Sequence, residues 1–337
     1  MTFARSIMFG VLVAWLPLSC AGVETVFETD IAAKDIAYCP TTGLLYVSVP
    51  TTAGEPYADH VVAISTSDAS VVGNVPVGSN PGPLAASNDA AVGFVGLNSN
   101  GTVVPIDLAL MSVGSPFALG SDMYLGSYYA ENIAVMPGSP NTVAVSRRNV
   151  GYSPRYEGIV IFDNGVARPN ADTSFLGSNL IAFGSDPGVL YGYDAEDSDS
   201  TLYRLSIDAS GISAKASANL VINGAGHIAA VGQIVYASSG ETVDGPTFTL
   251  LGTFQEAGPF VVDPSSKLVM YVVGGTITGF DRDTFVPVLH LRLPGASGFS
   301  KAAAGCGPGC VGVVLDSGQV FVVPNVLDPI FADTFEQ

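Results

Sequence analysis

Ile36-Ala37-Tyr38-Cys39-Pro40-Thr41-Thr42-Gly43-Leu44-Leu45-Tyr46-Val47-Ser48-Val49 comes back, reworded but with its pattern kept, as Phe260-Val261-Val262-Asp263-Pro264-Ser265-Ser266-Lys267-Leu268-Val269-Met270-Tyr271-Val272-Val273. Each copy is an apolar segment, a five-residue polar break containing proline, and a second segment rich in Val and Tyr. β-Branched and aromatic residues suit a pleated surface, and Pro, Ser, Asp and Gly suit a tight turn. Openings of the same kind fall at Leu84, Ile133, Ile181, Ile228 and Ala302, so the spacings along the chain are 48, 49, 48, 47, 32 and 42 residues. Strand patterning with a period of roughly 40–50 residues marks a β-propeller, one sheet per repeat. The expectation is an all-β, seven-bladed β-propeller.

The third strand of several repeats ends in an apolar residue followed by Asp: Ile106-Asp107, Phe162-Asp163, Ile207-Asp208 and Phe280-Asp281. An Asp side chain there can accept from the backbone two residues on and close the next hairpin, so these acids are expected to be structural. Repeat one carries Ser65 at this place, and repeat five, the shortest, a stunted third strand near Thr242-Val243. Repeat seven shows three strands only. Thr25-Val26-Phe27-Glu28-Thr29 precedes repeat one and is expected to supply the fourth, which would leave no open edge.

Residues 1–22 read as a signal peptide: Arg5, the apolar run 7–16, Pro17, and the small residues Ser19, Cys20, Ala21 and Gly22. Lipidation of Cys20 is the rival reading. The expected organisation is a signal peptide over 1–22, a propeller over 23–325 and a tail over 326–337, in a secreted or periplasmic, monomeric protein without a membrane span. The net charge of −18 disfavours nucleic acid and anionic lipid as partners. Cys306 and Cys310 flank Gly307-Pro308-Gly309 and are expected to form a disulfide in an oxidising compartment, whereas Cys39 reads as a buried free thiol. His60, His227 and His290 sit in different repeats with no ligand spacing, so neither a metal site nor a cofactor is expected.

Val75-Pro76-Val77-Gly78-Ser79-Asn80-Pro81-Gly82-Pro83-Leu84-Ala85-Ala86-Ser87-Asn88-Asp89 resembles the V-x-V-G-x-x-P linker and following L/I-A-x-S-x-D-G of the bacterial seven-bladed YVTN/YncE-like β-propeller proteins, and Leu45-Tyr46-Val47 resembles their L-Y-V strand. Ala90-Ala91 departs from the glycine usual in that family. The resemblance implies an extracytoplasmic repeat scaffold and transfers no catalytic residue. The end of the tail, Ile330-Phe331-Ala332-Asp333-Thr334-Phe335-Glu336, is similar to a terminal tag of exported proteobacterial proteins.

In an up-and-down blade, the second-to-third-strand loops and the blade-to-blade connections share one face. The stretches 50–60, 121–131, 146–158, 194–200 and 238–247 are expected to elaborate it. On that face Arg147, Arg148 and Arg155 are interleaved with Tyr152 and Tyr156 and preceded by Tyr124, Tyr128 and Tyr129. Guanidinium forks suit carboxylate or phosphate, and tyrosines offer stacking faces. These residues form a candidate site for an anionic or glycan-like ligand. The competing reading is internal neutralisation by Asp194, Glu196, Asp197 and Asp199, a loop that could alternatively hold calcium. No nucleophile elbow or phosphate loop is present. The leading expectation is therefore a non-enzymatic binding scaffold for a protein, a glycan or a small anionic ligand. The alternative is a propeller lactonase or lyase, marked by polar side chains that converge at the central channel, where His227 is a candidate.

Overall fold

The computed structural model describes residues 26–173 and 177–327. The signal-peptide and Cys20 readings, and the tail from 328 on, lie outside the described residues.

The described chain forms seven antiparallel blades and, in the connection between blades 2 and 3, a two-stranded ribbon of Ser121–Asp122 and Gly126–Ser127. Blade 1 is Asp35–Cys39, Leu44–Val49, His60–Ser65 and Val71–Pro76. Blade 6 repeats it as Phe260–Asp263, Leu268–Val273, Thr276–Asp281 and Pro287–Arg292. Blade 7 takes Ser300–Gly305, Val311–Leu315 and Gln319–Val323 from the end of the chain and Phe27–Asp30 from its beginning. Phe27 pairs with Val322 and Asp30 with Gln319, so the ring is sealed by the early strand.

What holds the ring together is burial between blades. Seven hydrophobic clusters are present, and each joins two neighbouring blades, the last uniting blade 7 with blade 1. Both faces of every sheet are therefore packed. This explains why strands such as Leu268–Val273 read as apolar runs rather than alternating patterns. At six of the seven junctions the first strands of neighbouring blades also touch one another around the axis.

Three details depart from the simple repeat. In blade 2 the fourth strand is broken: Ser112–Val113 and Phe117–Ala118 pair in turn with Thr102–Asp107, separated by Gly114-Ser115-Pro116, where Pro116 has no N–H to give the ladder. In blade 3 the fourth strand is only Val166–Ala167. In blade 5 the stretch 238–247 is not a long loop, because the third strand, Glu241–Asp244, begins after a three-residue turn at 238–240. The expectation for that loop is thus corrected.

The Asp turns divide. Asp107 accepts from the N–H groups of Ala109 and Leu110, Asp208 from that of Ser210, and Asp281 from those of Asp283 and Thr284. Asp163 instead receives the Arg168 fork at 2.8 and 2.9 Å and the Thr142 hydroxyl at 2.7 Å.

Candidate functional site

The residue just before each strand opening lies one step nearer the face of the blade-to-blade connections. Around the ring these positions are Asp35, Pro83, Asn132, Leu180, His227, Pro259 and Lys301. Below them the openings are apolar throughout, and Ile36, Leu84, Ile133, Ile181, Phe260 and Ala302 line a cavity of about 460 Å³ on the axis. Asp35, Asn132, His227 and Lys301 form its polar rim. A second cavity of about 290 Å³ shares Asp35 and Asn132 with the first and is bounded by Lys34, Asn98, Glu131, Arg148 and Arg155. Together they make one funnel.

Polar side chains do converge here, but two of them are occupied by the fold. Asp35 Oδ2 accepts from the Leu84 N–H of the next blade at 2.9 Å while Oδ1 accepts from Ile36 N–H at 2.9 Å. Its cross-strand partner Ser48 donates to Gly82 O, again in the next blade, at 2.7 Å. The same device recurs between blades 3 and 4: Asn132 Oδ1 accepts from Ile181 N–H at 3.0 Å, and its partner Ser146 donates to Ser178 O at 2.8 Å. These pairs clamp one inner strand to the next. Burial in the channel wall pushes the Asp35 carboxyl above the usual carboxylate range, while the two N–H groups, Lys34 and Lys301 pull the other way.

Lys301 closes the equivalent junction between blades 7 and 1, its Nζ donating to Ala33 O at 2.7 Å. Burial first, then the charge of Lys34, holds its ammonium below the usual lysine range. Lys34 is exposed, and neither lysine forms an ion pair among the described residues. His227 opens onto the channel, its ring tilted against Phe260 at 5.4 Å between centroids. Desolvation in the channel mouth holds its pKa below the ordinary histidine value, so the imidazole is neutral at pH 7.

The structure separates the sequence-derived arginine and tyrosine cluster. Arg147 and Arg148 are neighbours on one strand and so point to opposite faces. Arg147 turns inward, donating to Leu119 O at 3.1 Å and Glu157 O at 2.7 Å, with its guanidinium 4.9 Å from the Tyr128 ring centre. Burial lowers its pKa. Arg148 turns to the funnel, paired with Glu131 at 2.5 Å and Asn98 Oδ1 at 3.0 Å, 5.9 Å from the Tyr129 ring centre. Arg155 pairs with Glu196 at 2.6 Å and Glu131 at 3.6 Å. Tyr156 is buried, with its hydroxyl 3.3 Å from Asp172, and desolvation raises its pKa strongly. Of the five tyrosines in this group Tyr124 and Tyr152 alone are largely exposed, at 89% and 57%.

Internal neutralisation therefore accounts for Glu196. Two other acids of that loop shape its own turn: Asp194 Oδ1 accepts from Glu196 and Asp197 N–H, and Asp197 Oδ1 from Asp199 N–H. Among the described residues no three His, Cys, Asp or Glu side chains are grouped to hold a metal ion. Cys306 and Cys310 are joined by a disulfide with Cα atoms 4.9 Å apart, and the loop they close donates Gly309 N–H to Asp263 of blade 6 at 2.8 Å. Cys39 is a buried free thiol, 3.5 Å from Ala90 O.

Sequence reasoning missed Lys34, Lys301, Asp35 and Asn132. The signal was available one position before the opening for Asp35, Asn132 and Lys301, and two before it for Lys34. No protein-family model matches the chain, and no curated protein matches it either.

Proposed function

We propose that the chain is an exported, non-enzymatic binding scaffold of the YVTN/YncE-like kind, and that it captures a small anionic ligand in the funnel at the channel mouth. The observation that carries this is the distribution of charge. Of twelve Lys and Arg residues in a chain of net charge −18, four (Lys34, Arg148, Arg155 and Lys301) line the two adjoining cavities. An anion is repelled by most of such a surface, and a concave site with a local excess of cations concentrates it. The arginines are pre-positioned by Glu131 and Glu196, and the lysines supply charge that no carboxylate cancels by direct contact. Asp35 and Asn132, two of the polar side chains at the channel mouth, are engaged on backbone N–H groups, which speaks against a lyase or lactonase built on them.

The test is calorimetric titration with phosphate, citrate and benzoate. At least one is expected to bind, more weakly as salt rises, and Lys34→Gln with Lys301→Gln should lower its affinity at least about tenfold. Arg147→Ala, which removes a side chain spent inside the blade, should lower the melting temperature and leave affinity unchanged. Indifference of binding to the double lysine change would overturn the reading.

A further inference from the structure

The funnel has two chemistries at two depths. Its rim carries Lys34, Lys301 and Asp35, close enough that each lysine acts on the charge of Asp35. Asp316 also acts on the charge of Lys301, so the two ammonium groups are set among two carboxylates. That setting suits a monoanion better than a dianion such as phosphate, because the carboxylates repel the second charge. Neutral His227 adds no charge but offers the ring N–H or lone pair of an imidazole.

The floor is the ring of strand openings. Ile36, Leu84, Ile133, Ile181, Phe260 and Ala302 come from six different blades and all present hydrocarbon to the same cavity. A bare inorganic anion at the rim leaves that floor wet. A ligand with an apolar body removes it from water and gains in proportion to the area covered. The 460 Å³ of the axial cavity is within the usual size for small-molecule sites.

We infer that the ligand of the funnel is a monocarboxylate with an apolar body, its carboxylate seated at Lys34 and Lys301 and its hydrocarbon lying on the ring of strand openings. This rests on the anion-binding reading above and narrows it to one class of compound. The carboxylate would receive charge-assisted hydrogen bonds from the two ammonium groups. The two ammonium groups at the rim select the charge, and the fold itself, through the same positions that build its inner strands, supplies the apolar seat.

The experiment is a titration of the intact protein with acetate, butyrate, hexanoate, hexan-1-ol and inorganic phosphate. Affinity should climb about fourfold for each methylene added from acetate to hexanoate. Hexan-1-ol and phosphate should both bind much more weakly than hexanoate. Ala302→Leu, which fills the floor, should weaken hexanoate at least about tenfold and acetate much less, with the melting temperature reporting that the blade is intact. A flat response from acetate to hexanoate, or phosphate binding as well as hexanoate, overturns the amphiphilic ligand while sparing the anion site. Equal binding of hexan-1-ol and hexanoate, or no binding by any anion, overturns the anion site itself.

Discussion

Removal of residues 26–33 is expected to cost at least about 4 kcal/mol, a large part of the 5–15 kcal/mol that holds an ordinary domain together. The segment supplies the fourth strand of blade 7, pairing residue by residue from Phe27 opposite Val322 to Asp30 opposite Gln319. Beyond the strand, Ile31 donates to Gly318 O at 2.8 Å, and its side chain is 3% exposed in the cluster between blades 7 and 1. Burying one such side chain is worth about 1.5–3 kcal/mol, and its loss also bares the Gln319–Val323 edge to other chains. A melting temperature lower by about 10 °C, together with aggregation, is the expected result. The same eight residues attached after position 325 should restore both. The strand would then follow Gln319–Val323 by a hairpin, in the antiparallel sense it already has. A truncated chain that melts like the parent would show that the ring does not need this seal.

Tyr271→Ala should be the most damaging single substitution in the core, at about 3–5 kcal/mol. Its side chain is fully buried where blades 5 and 6 meet, with ring centres of Phe254, Phe260 and Phe280 at 5.8, 5.4 and 6.0 Å. Its hydroxyl donates to Ala237 O, across the interface, at 2.9 Å. Blade 5 has the shortest strands of the full four-stranded sheets, so this aromatic cluster carries much of that junction. Tyr271→Phe should cost only about 1 kcal/mol, because it deletes a hydrogen bond but makes no cavity, and Ala237 O keeps the N–H of Gly240 at 3.0 Å. Chemical denaturation of the two variants measures the difference, and near-equal losses would contradict the packing account.

The ring was legible because each repeat is a local object. The segments 36–49 and 260–273 show strand, turn and strand within fourteen residues, and the shortness of blade 5 shows in the spacing from Ile228 to Phe260. The broken fourth strands of blades 2 and 3 were not legible, because a two-residue strand leaves no pattern to count. The clamps escaped for a different reason. Asp35 and Asn132 bond to backbone 49 residues further on, so the sequence shows only a polar residue beside an apolar one. The rim was hidden by the closure itself: Lys301 Nζ reaches Ala33 O across 268 residues of chain. The arginine cluster was visible as composition but not as direction. Arg147 and Arg148 differ by one position, and in a strand that single step decides which is spent in the core and which meets the funnel.

The central claim, that the channel mouth is a site for a small anion, places two of the chain's four lysines in contact with ligand and two away from it. Acylation of Lys34, Lys215, Lys267 and Lys301, followed residue by residue by mass spectrometry with and without saturating hexanoate, tests this most directly. Lys34 and Lys301 should lose most of their reactivity when the ligand is present, while Lys215 and Lys267 react as before. Four lysines with unchanged reactivity, or protection falling on Lys215 and Lys267 instead, would contradict it.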